Sequence, residues 1–204
     1  MTIIFSTMGV VSATNEEDDI LEEEELPLTS DGEEITIYNS TMGEILEAFA
    51  EEEYDELTDK EKRFYDSLGA EEILAPDEDS SEGTQEIIPN KEDIRARSTI
   101  WVPTALVLTQ ALYSRASDTK VTYGGMYNCT SLVKIFGSAY LIRNSDGKIL
   151  YLNTTLKAQG TYTYISKTYT LAKSSEKYYT RSFGTYTNSK GATVSTSASS
   201  WPKN

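Results

Sequence analysis

The chain has no histidine and a single cysteine, Cys129. Without an imidazole it lacks the usual general base, the commonest metal ligand and the group that most often activates a serine or cysteine nucleophile. One thiol cannot form an intramolecular disulfide, so the fold must rest on its core, and Cys129 reads as a small buried residue. There is no phosphate-cradling glycine loop, no G-x-S-x-G elbow and no metal-ligand spacing. Carboxylates are scarce from Ile100 onward: Asp118, Asp146 and Glu176 are the three present, each in an expected turn. Glycoside hydrolysis needs two carboxylates converging across a cleft, and turn residues do not offer that. These absences point to a protein that is not an enzyme and takes no cofactor or metal.

What the chain has is charge, unevenly placed. Before Ile100 there are 30 Asp+Glu against 6 Lys+Arg, and from Ile100 onward 3 against 12. A half at −24 beside a half at +9 suggests an acidic tail or pro-region next to a module with other partners. The acidic half would repel phosphates, so nucleic acid is not an expected partner.

Residues 1–13 (MTIIFSTMGVVSA) are apolar and uncharged, with small residues at the last and third-last positions. They are too short to span a bilayer and match the apolar region and cleavage site of a secretory signal peptide, leaving no membrane span in the mature chain. The positively charged start of such a signal is missing, which points to a start upstream of Met1. Residues 14–40 are dense in carboxylates and are expected to be disordered. Residues 41–75 carry two capping-box spacings, Thr41 with Glu44 and Thr58 with Glu61. Ile45, Leu46, Phe49 and Ala50, then Phe64, Tyr65 and Leu68, follow at helical spacing, with Gly69 as a stop. The spacing predicts a short helical hairpin that must dock on something. Residues 76–99 read as an acidic linker. Within it Asp77, Asp79 and Ser81 imitate a calcium loop, but Gly83 falls one place late and Ile88 replaces the bidentate Glu.

From residue 100 to residue 204 the period changes to two. Val133, Ile135, Gly137, Ala139 and Leu141 alternate with Lys134, Ser138 and Tyr140, and Asn144-Ser145-Asp146-Gly147 marks a hairpin. Further runs at Ala105–Tyr113, Lys120–Tyr127, Ile149–Asn153, Tyr162–Leu171, Tyr178–Thr187 and Ala192–Ser199 bring the count to seven or eight short strands. The chain is thus expected to be mainly β: a C-terminal antiparallel β-sandwich of seven or eight strands, preceded by an acidic region with a short helical hairpin. Asn39, Asn128 and Asn153 head N-glycosylation patterns of the kind a Ser/Thr-rich chain produces by chance.

One candidate surface emerges. Tyr178, Tyr179, Arg181, Phe183 and Tyr186 lie on one predicted strand, with Lys173 and Lys177 just before it. Aromatic rings stack on sugars or grip proteins, and Lys and Arg attract anions. Alternation allows only half of them to share a face.

The stretch KYYTRSFGTYTNSKG (177–191) and the Ser/Thr alternation after it resemble small secreted β proteins of Gram-positive bacteria. More remotely they resemble β-sandwich bacteriocins of the lactococcin 972 type. The resemblance covers about the last hundred residues, implies an exported β module and carries over no functional residue. Three functions stay open: a secreted or cell-surface binding module for an anionic cell-wall polymer, a glycan or a surface protein; a bacteriocin-like effector with an acidic pro-segment; and a hydrolase of unrecognised type.

Overall fold

The computed structural model describes residues 27–28, 32–76, 86–89, 107–115, 117, 119–170 and 176–201. The expected signal peptide, most of the acidic stretch up to residue 31, the calcium-like residues 77–85, Asp118 and Lys173 lie outside the described residues.

Four short helices follow one another: α1 (Met42–Phe49), α2 (Glu51–Asp55), α3 (Asp59–Asp66) and α4 (Ala70–Leu74). Both capping boxes form. The Glu44 amide donates to Thr41 Oγ1 (3.2 Å) while Glu44 Oε2 accepts from the Thr41 amide (2.7 Å). Glu61 and Thr58 do the same at 3.3 and 2.9 Å. Gly69 is not the left-handed stop that the sequence suggests. It has φ −64 and serves as N-cap of α4, and α3 ends on Ser67. Helices of five to eight residues are unstable alone, so these depend on what they cover.

What they cover is an antiparallel sheet of β1 (Glu86–Pro89), β2 (Val107–Arg115), β3 (Lys120–Arg143), β4 (Ile149–Thr170), β5 (Tyr178–Thr187) and β6 (Thr193–Ser200). The order is β1-β6-β5-β3-β2, with β4 on the other side of β3. β3 is the spine. Its first half pairs with β2, its second half with β5, and nearly its whole length with β4. The expected hairpin turns at residues 144–147 and 188–191 are present, with Gly147 and Gly191 at φ 69 and 78.

The fold is mainly β and antiparallel; among the described residues six strands form one curled sheet, and the expected closed sandwich of seven or eight strands is not seen. Lys120–Tyr127 and the run from Val133 join into β3, and the runs at Ile149 and Tyr162 join into β4. Register shifts between Asn128 and Ile135 bend the ladder without breaking it.

The bend folds the sheet over its own concave face. Tyr127 Oη donates to the Ser138 carbonyl (2.8 Å) and Ser182 Oγ to the Gly124 carbonyl (2.9 Å). Gly137 and Gly184 are paired across β3 and β5, and a Cβ on either would fall under 3.0 Å from the Tyr127 ring. Bare backbone at this pair lets the ring lie flat. Thr109 Oγ1 on β2 meets Thr196 Oγ1 on β6 (2.5 Å), closing the far side. Val121, Tyr123, Tyr127, Ile135, Ala139 and Leu141 fill this inner core.

The convex face carries the second core. Ile45, Leu46, Tyr65 and Leu74 from the helices meet Phe136, Tyr140, Tyr179 and Phe183 from the sheet. Each such side chain contributes roughly 1.5–3 kcal/mol on burial, so the helices are part of the same folded body as the strands.

Candidate functional site

The aromatic-basic cluster on β5 is interior. Tyr178, Tyr179, Phe183 and Tyr186 are buried, and Arg181 is 2% exposed. Tyr179 stacks on Trp201 (4.8 Å between centroids) and donates to the Leu74 carbonyl (3.0 Å). Arg181 Nε donates to the Ile73 carbonyl (2.8 Å). Tyr178 and Tyr186 point to the inner core, where Tyr186 Oη donates to the Leu108 carbonyl (2.9 Å). Burial pushes the Tyr186 phenol up to about 12, against the opposing hydrogen bond with Thr109. These five residues therefore do not form the ligand surface that the sequence suggests. β5 is a central strand between β3 and β6, covered by helices on one face and by the curled sheet on the other. Lys177 is exposed beside them.

Much of the β half's positive charge is also engaged. Lys134 Nζ donates to both Glu61 oxygens of α3 (2.8 and 2.9 Å), and Lys148 pairs with Glu34 (2.5 Å). Arg143 pairs with Asp146 (2.5 Å) and Glu176 (3.4 Å). Burial works against the Glu61 carboxylate. The Lys134 ammonium and the Thr58 donors outweigh it, and the pKa falls below the ordinary value. Pairs this exposed contribute about 1 kcal/mol or less, so they set the alignment of acidic segment on sheet more than its stability. Serine three residues before lysine, a spacing used by serine–lysine hydrolases, occurs at Ser117/Lys120, Ser131/Lys134, Ser145/Lys148, Ser174/Lys177 and Ser200/Lys203. Lys134 is held by Glu61 and Lys148 by Glu34, Ser117 Oγ accepts the Lys120 amide (3.0 Å), and Ser174 and Lys203 lie outside the described residues.

The helices cover only the part of the convex face formed by β5 and its neighbours. Across β2, the first half of β3 and the end of β4 the same face is bare among the described residues. Its side chains form cross-strand rows: Leu108, Asn128 and Tyr162; then Gln110, Met126 and Tyr164; then Leu112, Gly124 and Ser166; then Ser114, Thr122 and Thr168. Leu108 is 37% exposed, Tyr162 47% and Tyr164 61%. The two tyrosines stand two residues apart on β4, rings stacked at 6.0 Å and 25°. Thr122 and Thr168 share a hydroxyl hydrogen bond (2.8 Å) in the last row. These four rows carry no charged side chain and present two aromatic rings, aliphatic side chains, two amides and hydroxyls.

No group of three or more His, Cys, Asp or Glu that could hold a metal occurs among the described residues, and no helix there is long and apolar enough to cross a membrane. Comparison with protein-family models, curated proteins and solved structures finds no match for the chain.

Proposed function

We propose that this chain is an extracellular, non-enzymatic binding module that presents the β2–β3–β4 face to a glycan of the cell envelope. The observation that carries the reading is the stacked, solvent-exposed pair Tyr162 and Tyr164 on an uncharged, hydroxyl-rich sheet face. Rings of this kind offer apolar area to the C–H faces of sugars, and the neighbouring hydroxyls and amides supply polar recognition. The export signal read in residues 1–13 supports the location.

Between a neutral glycan and an anionic polymer, the face favours the first. Lys134, Arg143 and Lys148 are engaged in ion pairs, and none of the four rows carries a cation. The pro-segment alternative is disfavoured for the helical region, because removing α1–α4 would strip the cover from Phe136, Tyr140, Tyr179 and Phe183.

Retention of the full chain on purified envelope polysaccharide tests the reading, with Tyr162→Ala/Tyr164→Ala as the comparison. Binding should fall at least tenfold in the double variant and change little between low and high salt. Equal retention of the variant overturns the proposal, and a steep loss with salt points to an anionic polymer instead.

A further inference from the structure

The uncharged face carries two side-chain amides, and both are idle. Asn128 on β3 is half-buried and Gln110 on β2 is exposed, and neither side chain makes a hydrogen bond among the described residues. Three asparagines elsewhere are put to structural use. Asn39 bonds the Thr36 amide and the Glu34 carbonyl, Asn153 donates to Tyr123, and Asn188 accepts from the Lys190 and Ala192 amides. We infer that the face recognises an N-acetylated aminosugar, and that Asn128 is the residue that reads the acetamido group. The inference rests on the glycan-face reading and narrows it to one class of sugar.

Position carries the argument. Asn128 lies directly across from Tyr162 on one neighbouring strand and from Leu108 on the other. Met126 stands two residues before it, on the same face. Cross-strand partners are ~4.5–5.5 Å apart and same-face neighbours along a strand ~7 Å. A ring, an amide, a thioether and an aliphatic side chain thus fall within reach of one sugar ring and its substituent.

An acetamido group has the matching parts: an N–H donor, a carbonyl acceptor and a methyl. A carboxamide presents donors and an acceptor in one plane, so Asn128 can pair with both polar atoms at once. Met126 and Leu108 then offer apolar surface to the methyl. A hydroxyl at the same ring carbon satisfies one side of the amide and leaves the other covered without a partner, which costs free energy. A sugar bearing a carboxylate finds no cation in the four rows, and one bearing a free amine finds no anion. A peptide has the same amide but no ring to lay its C–H face on Tyr162 and Tyr164. The tyrosines hold any such ring, and Asn128 tells one ring from another.

The test is a titration of the full-length chain, followed through the side-chain NH2 resonances of Asn128 and Gln110 in isotope-labelled protein. The probes are the linear tetramers of N-acetylglucosamine and of glucose with the same β linkage, which differ in acetamido against hydroxyl. The first should bind about tenfold more tightly and shift the Asn128 signals. Asn128→Leu keeps the volume and removes both polar functions, so it should reduce the preference to about twofold or less. Tyr162→Ala/Tyr164→Ala should weaken both tetramers. Thermal unfolding near the wild-type midpoint verifies that the variants fold, and the wild-type comparison needs no variant. Equal affinity for the two tetramers overturns the inference and leaves the glycan-face reading standing. Absence of binding by the N-acetylglucosamine tetramer also overturns it, and retention on envelope polysaccharide then decides that reading separately. An acetylated dipeptide amide that shifts the Asn128 signals as strongly as the tetramer assigns the amide to a peptide partner and overturns the sugar.

Discussion

Arg181 on β5 donates from its Nε to the backbone carbonyl of Ile73, 108 residues earlier in the chain, at 2.8 Å. Tyr179 does the same for Leu74. The last carbonyls of a helix have no partner within it, and a cation there meets the negative end of the helix dipole. Two side chains of a central strand thus cap the C-terminus of α4.

Arg181→Met keeps the buried stem and removes the donor. It should cost about 2 kcal/mol, the range for a hydrogen bond from a charged group. Urea unfolding measures the cost, and hydrogen exchange should show α4 amides losing protection before those of β3. Unchanged exchange in α4 would sink the capping role.

Glu61 and Asp146 give the protein an acid-sensitive component. Both carboxyls lie below their ordinary values of 4.5 and 3.8 in the folded chain. Glu61 is lowered in spite of burial, by Lys134 and Thr58; Asp146 is lowered chiefly by the Arg143 hydrogen bond, against burial. A depressed folded value means stabilisation that is complete above the unfolded value and lost as pH falls through the folded one. Stability should therefore hold from pH 7 to about pH 5 and decline below about pH 4. Glu61→Gln, which can keep the capping box, should show a smaller drop in urea midpoint between pH 7 and pH 3. An equal drop in both proteins refutes the assignment to Glu61.

Thr180 is fully buried on β5, and its Oγ1 has no hydrogen-bond partner among the described residues. Thr180→Val removes the unsatisfied hydroxyl at nearly constant shape and should stabilise by about 1 kcal/mol. For a chain of this size that raises Tm by roughly 2–4 °C. Calorimetry showing a lower Tm would count against it.

β4 pairs only with β3 among the described residues. Exposed Lys157 and Lys167 flank its uncharged stretch Thr161–Ser166. Lysines on a long edge discourage strand-to-strand association. Lys157→Thr/Lys167→Thr should shift the chain toward dimers and larger species in light scattering at concentrations where wild type does not. A variant with unchanged mass would show that the lysines have no such role.

How far the sequence announced this structure differs by element. The capping boxes at Thr41 and Thr58 are local chemistry, needing only a hydroxyl and a carboxylate three residues apart, and both were readable. So were the turns at Gly147 and Gly191, and the alternation that sends Val133, Ile135, Ala139 and Leu141 to one face. The continuity of β3 and β4 was not, because Ser131 and Gly160 look like breaks until pairing absorbs them. The fate of β5 was half legible: in YYTRSF both parities carry large side chains, as in a strand covered on both faces, whereas the paired aromatic and basic residues invite a surface reading. Tyr162 and Tyr164 alternate as the buried tyrosines do. What exposes them is where the helices stop, a tertiary fact that strand periodicity does not encode.

The cap that Arg181 and Tyr179 place on α4 also sets an order of events during synthesis. The helices leave the ribosome long before the strand that covers them. At ~5–20 residues per second, the 108 residues between Ile73 and Arg181 amount to roughly 5–20 s. For the first part of that interval, until β3 and β4 are made, Ile45, Leu46, Tyr65 and Leu74 have no sheet to lie against. The dense carboxylates around them then serve the nascent chain, keeping an apolar stripe in solution until its partner is made.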